Sequence, residues 1–202
     1  MKQAFFPTSI ISVLMLISGC SAVGVVKSSD PHQKLADADR LVDQNRPTAA
    51  ERLIVESLSI CKEANDQLCF ADAYRMYGLF FMSNSFDGQW KQHYIKNGFT
   101  EPSVNLENRY SKAIEYLQKS RSIYTQTANY DIVSNLSLNM GFAYEIQGDN
   151  PSACTAYDES LRANAENVRI NPSIKIVMPE KYGTFENYIQ IQKNRALCKS
   201  PA

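Results

Sequence analysis

From Pro31 onward, apolar residues return every three or four positions, and no segment alternates strongly between apolar and polar. That period sets one stripe of a helix against a core, so the pattern predicts an all-α chain. The clearest helix runs from Tyr110 to Tyr124. Tyr110, Ala113, Ile114, Leu117 and Tyr124 share its stripe, while Lys112, Glu115, Gln118, Lys119 and Ser122 lie mostly off it. The breaks are marked too. Asn45-Arg46-Pro47, Ala64-Asn65-Asp66 and Gly148-Asp149-Asn150-Pro151 predict turns, with Pro151 at the start of the next helix. Asn171-Pro172, Pro179 and Gly183 predict a loop or extended crossing over 168–183. Thr184 then caps a last helix from Phe185 to about Leu197.

The first twenty residues follow another pattern. Lys2 is the only charge before Lys27, and an apolar run centred on Ile10–Ile17 follows it. The run is too short for a permanent span and is interrupted by Pro7, Thr8 and Ser9, so it reads as an export signal. Ile17-Ser18-Gly19-Cys20 resembles the lipobox of bacterial lipoproteins. The resemblance implies cleavage before Cys20 and a thioether-linked diacylglycerol on its sulfur. Several acyl chains hold a protein to the bilayer stably, at roughly 0.8 kcal/mol per buried CH₂. Ser21, by resemblance to Gram-negative lipoproteins, implies sorting to the outer membrane, on its periplasmic side. Residues 1–19 are then the signal peptide and 20–30 the lipidated Cys and a tether.

Composition narrows the function. The 202 residues carry 21 basic and 21 acidic side chains. This balance argues against a nucleic-acid binder, which needs a basic stripe for phosphates, and against a polybasic membrane-surface protein. Removing residues 1–19 takes away only Lys2, too small a change to steer a partner by net charge. Beyond Cys20 four cysteines remain: Cys61, Cys69, Cys154 and Cys198. An even number in an exported chain suggests disulfides, and three pairings are possible. Spacing favours Cys61 with Cys69 across one interhelical turn and Cys154 with Cys198 between antiparallel helix ends. Free buried thiols are the alternative. With two histidines and no C-x-x-C, no metal or other cofactor is expected.

A repeat lies under the helical period. Tyr74-x-x-Tyr77-Gly78-x-x-Phe81 returns as Ser137-x-x-Met140-Gly141-x-x-Tyr144, with Ser for the first large residue. Ala50-x-x-x-Ile54, Ala113-x-x-x-Leu117 and Ala153-x-x-x-Tyr157 give a small-then-large pattern for the second helices. Gly141 and Ala153 stand twelve residues apart, as do Ala38 and Ala50. The chain therefore resembles the tetratricopeptide repeat family over most of 31–167. The resemblance implies a helical-hairpin solenoid of about three helix pairs, its small residues letting paired backbones approach. Two features depart from the family: the pattern's final Pro is missing, and Gly78 and Ala113 are 35 residues apart, an insertion at about 84–107. Residues 168–202 are expected to form a loop and a closing helix, because a last repeat otherwise exposes its apolar face.

The resemblance places ligand contacts on the face of the first helices. Carried over, these are Asp72, Arg75, Leu79 and Met82, then Asn135, Leu138, Asn139, Phe142 and Ile146. Arg75 and Asn139 alone do not make the family's carboxylate clamp. In the insertion Phe86, Trp90 and Tyr94 recur every four residues, suiting either a partner hot spot or rings folded back on the solenoid. G-x-S-x-G, G-x-x-x-x-G-K-[ST] and H-E-x-x-H do not occur. His93 lacks a matched nucleophile, His32 reads as a surface residue, and Glu101 with Glu107 read as solvated carboxylates. The expectation is a non-catalytic protein–protein interaction scaffold or assembly factor for an envelope machine, held to the bilayer through Cys20. An immunity protein against a periplasm-targeted toxic effector is the alternative.

Overall fold

The computed structural model describes residues 28–174 and 176–199. The expected signal peptide, Cys20 and most of the expected tether lie outside the described residues. Those described form eight α-helices: α1 (Pro31–Asp43), α2 (Pro47–Ala64), α3 (Gln67–Phe81), α4 (Lys91–Asn97), α5 (Arg109–Gln126), α6 (Tyr130–Ile146), α7 (Asn150–Ile170) and α8 (Phe185–Arg195). They pack mostly as consecutive pairs: α1 on α2, α3 on α5, and α6 on α7. α2 meets α3, α5 meets α6, and α8 lies on α7. Among the described residues no helix is long and apolar enough to cross a membrane.

The boundaries follow from capping chemistry. Asp30, Asp66, Asp149 and Thr184 each accept a backbone N–H in the first turn of the helix they open, satisfying a donor that has no intrahelical partner. Asn65 turns left-handed at φ 50°, a conformation asparagine tolerates, and so closes α2 within two residues of α3. Cys61 and Cys69, on either side of that turn, are joined with their Cα atoms 5.4 Å apart. Cys154 near the start of α7 is joined to Cys198 just past α8, at 5.6 Å. Both bonds are the pairs that spacing favours, and they fit an oxidising compartment outside the cytoplasm.

The paired helices touch where the small residues allow it. A methyl at Gly78 would stand 2.7 Å from the Leu117 side chain and 3.0 Å from the Ala113 carbonyl oxygen. At Gly141 it would stand 2.3 Å from the Tyr157 ring. One polar contact recurs in the same register in all three pairs. Ser57 Oγ donates to the Pro31 carbonyl, Ser120 Oγ to that of Ala71, and Ser160 Oγ to that of Ser134. Each serine lies seven residues after Ala50, Ala113 or Ala153, and each carbonyl seven before Ala38, Gly78 or Gly141. Ser120 and Ser160 are fully buried, so each bond also spares a hydroxyl the cost of burial without a partner.

The segment between α3 and α5 holds a 3-10 turn (Asn84–Asp87), α4 and a loop that enters the core. Arg109, 3% exposed, fastens it. Its guanidinium donates to the carbonyls of Phe81 and Ser83, pairs with Asp87 at 2.7 Å, and lies over the Tyr110 ring at 4.2 Å.

Candidate functional site

The first helices of two neighbouring pairs enclose a groove of about 460 Å³. His32, Leu35 and Asp39 come from α1, and Asp72, Arg75 and Leu79 from α3. These are matching positions: each α1 residue stands as far from Ala38 as its α3 counterpart stands from Gly78. Arg75 and Leu79 were expected on this face. His32 was expected as a surface residue only, and Leu35 and Asp39 carry no ligand signal because α1 lacks the Gly and aromatic pattern; the Ala38–Ala50 spacing is the signal that locates them.

Charge within the groove is unevenly satisfied. Asp72 accepts a hydrogen bond from the Tyr124 hydroxyl and lies 3.4 Å from His32 Nδ1. Burial, then the bond to Asp72, pushes the Tyr124 phenol above the ordinary tyrosine range, so it remains a donor at any physiological pH. Arg75 is half-buried, and among the described residues none hydrogen-bonds or ion-pairs with it. Leu35, Met76 and Leu79 supply apolar surface beside it. The groove therefore offers an aliphatic floor, one cation outside any ion pair, and two carboxylates, Asp39 and Asp72.

The third pair does not extend this groove. Phe142 lines a separate hollow of about 650 Å³ with Glu145, Ile146, Tyr182, Tyr188 and Arg195. Arg195 of α8 lies over the Phe142 ring at 5.6 Å and pairs with Glu145. Burial opposes the Glu145 charge, but bonds from Arg195 and Tyr157 outweigh it and hold the carboxyl below the usual glutamate range. Asn139 turns its amide back to the Asn135 carbonyl at 2.9 Å. Leu138 is buried with Ile189 and Tyr157 beneath α8. The closing helix thus occupies part of the face on which Asn139 and Phe142 were expected to meet a partner.

The insertion residues divide. Phe86 and Tyr94 are buried among Phe80, Phe81 and Phe99, so they pack on the helices and are out of reach of a partner docking from outside. Trp90 remains half-buried. Its indole Nε1–H donates to the Asn45 carbonyl at 2.8 Å, over the α1–α2 turn. The three do not share one helix: Phe86 sits in the 3-10 turn, Gly88 departs from helical backbone, and α4 starts after Trp90. His93 contacts the rings of Trp90 and Tyr94 and the Asn97 amide.

Glu51 is a buried carboxylate that the sequence pattern missed. It is 3% exposed, in α2, with no cation beside it among the described residues. Its carboxylate accepts from Thr100 N–H at 2.7 Å, from the Tyr77 hydroxyl at 3.1 Å and from the Tyr94 hydroxyl at 3.5 Å. Burial pushes its pKa up despite these donors. No cluster of three or more His, Cys, Asp or Glu among the described residues is arranged to hold a metal ion. Comparison with protein-family models, with curated proteins and with solved structures found no match.

Proposed function

We propose that the chain is a lipid-anchored binding protein of the bacterial envelope, on the periplasmic side of the outer membrane. In this reading Cys20 carries the acyl chains, and tetratricopeptide-like hairpins present a groove to a protein partner. The work is assembly of an envelope machine, without chemistry. The α1–α3 groove carries the proposal: matching positions of two helix pairs line it, and its half-buried Arg75 stands in it outside any ion pair among the described residues. The recurring serine-to-carbonyl bond and the glycine contacts support a repeat rather than an arbitrary bundle. Both disulfides suit an exported protein. A membrane anchor raises the local concentration of the domain, so moderate affinity suffices.

Two measurements test this. Cys20→Ser is expected to move the protein from the membrane to the soluble envelope fraction, and unchanged fractionation ends the lipoprotein reading. Affinity purification from the native envelope is expected to bring down a defined partner. Arg75→Glu with Leu79→Asp should lose that partner at unchanged helicity. Equal recovery with this variant moves the binding site away from the groove.

A further inference from the structure

The recurring register compares one inter-pair junction with the next. Aligned on Gly78 and Gly141, Phe70 and Tyr74 correspond to Val133 and Ser137; aligned on Ala113 and Ala153, Tyr116 and Ile123 correspond to Ala156 and Ala163. At the first junction the three rings fill the space. Phe70 stacks on Tyr74 at 5.7 Å, Tyr74 meets Tyr116 at 5.8 Å, and Lys119 lies 4.8 Å from the Tyr116 ring centre. At the second junction all four counterparts are small, and a groove of about 580 Å³ runs between α5 and α7 over Val133 and Ser137. Beyond the Arg121–Glu159 ion pair, a hollow of about 290 Å³ continues it past Ala156.

Two observations set this groove apart from a packing defect. Ser137 is fully buried, and its Oγ is the one buried side-chain polar atom without a partner among the described residues. Such an orphan costs about 1–3 kcal/mol, so stability alone favours alanine at 137. One rim cation also stands outside the ion pairs. Arg121 pairs with Glu159, and Glu166 with Arg169, whereas Arg162 bonds only to the Asp158 carbonyl, at 3.4 Å.

We propose that the α5–α7 groove docks an aromatic side chain flanked by a carboxylate, presented by a protein partner. The ring takes the place that Phe70 and Tyr74 fill at the neighbouring junction. The carboxylate meets Arg162. The proposal rests on the reading of this chain as a binding protein, but at a surface apart from the α1–α3 groove.

The test is a methyl-NMR titration of the mature chain with N-acetyl-Asp-Tyr-Asp-amide. Saturable shifts are expected at Val133, Ala156 and Ala163. N-acetyl-Asp-Ala-Asp-amide should give none, and Arg162→Glu should weaken the tyrosine peptide about tenfold. Ser137→Tyr restores the ring of the first junction; it should keep the helical circular-dichroism spectrum and abolish the shifts. If that variant does not fold, Ala163→Ile, which restores the counterpart of Ile123, takes its place. No shifts with the tyrosine peptide, equal shifts with the alanine peptide, or shifts that persist in the filled variant overturn the proposal. Arg75→Glu leaves this titration unchanged, so failure at one groove is told apart from failure at the other.

Discussion

Rings hold the first part of the molecule, and small residues with a covalent staple hold the last. Around the insertion, Tyr77, Phe80, Phe81, Phe86, Tyr94 and Phe99 form one buried cluster, with ring centres 4.4 Å apart in the closest pairs. Each such ring removes a large apolar area from water and leaves few rotamers to freeze. Around α8 the buried set is Leu138, Ala153, Tyr157, Ile189 and Ala196. That is little area for holding an eleven-residue helix. The difference teaches where each region gets its stability: from apolar burial near the insertion, and from the Cys154–Cys198 bond and the Glu145–Arg195 pair near the end.

Removing that staple is the strongest way to break the comparison. The bond closes a span of 44 residues, and loop-closure entropy assigns it about 4 kcal/mol. Cys154→Ser with Cys198→Ser should lower the free energy of unfolding in urea by an amount approaching that figure, and hydrogen exchange should show α8 opening first. Cys61→Ser with Cys69→Ser should cost less, about 2.5 kcal/mol, because its span is eight residues and the Asn65 turn already closes it. Equal losses in the two variants would remove the distinction between the regions.

Arg109→Ala attacks the other region. It leaves the carbonyls of Phe81 and Ser83 without their donor and opens a void beside Phe86. A loss of about 3 kcal/mol is expected by chemical denaturation. Arg109→Lys should recover only part of it, since an ammonium cannot match the planar fork. Gly141→Ala comes next. The new methyl overlaps the Tyr157 ring, and overpacking of this kind costs about 1–3 kcal/mol, against about 1 kcal/mol gained in helix propensity. A net fall in thermal midpoint is expected, and a rise would show that α6 and α7 can slide apart.

Much of this architecture was legible along the chain. Gly78 and Gly141 announced close crossings, Leu117 and Tyr157 stood at the spacing that fills them, and the Asn65 turn placed Cys61 beside Cys69. Thr184 marked the start of α8. What stayed hidden depends on contacts distant in sequence. Phe86, Trp90 and Tyr94 have helical spacing, yet Gly88 interrupts the helix and only the packed core decides which rings turn inward. Arg109 heads an amphipathic helix and reads as a surface cation until the carbonyls of Phe81 and Ser83 are brought to it. The groove on α1 and α3 was half visible, since Arg75 and Leu79 stand beside the Tyr74–Phe81 pattern, but Leu35 and Asp39 follow only from the Ala38 register. The recurring serines carried a readable signal: Ser57, Ser120 and Ser160 each come seven residues after the small residue of their helix.

Glu51 offers the finest probe of the ring-filled region, because its effect is a dependence on pH. Its carboxyl is buried by residues of the insertion, and desolvation raises its pKa from the ordinary 4.5. Below that value the side chain is protonated in folded and unfolded chains alike and contributes no pH dependence. As pH rises, the unfolded chain releases the proton first while the folded one retains it, so stability falls until the folded carboxyl also ionises. Glu51→Gln keeps an oxygen for Thr100 N–H and removes the titration. The stability of Glu51→Gln relative to the parent should therefore climb as pH rises above the ordinary glutamate range and level off once the folded carboxyl ionises, measured by urea unfolding at each pH. Glu115 and Glu166, held below the usual range by bonds from Lys112 and Arg169, change stability in the opposite sense, but both proteins share them and the difference cancels them. Parallel curves would mean that water reaches Glu51, and with it that the insertion does not seal the core as the rings of Phe86, Tyr94 and Phe99 imply.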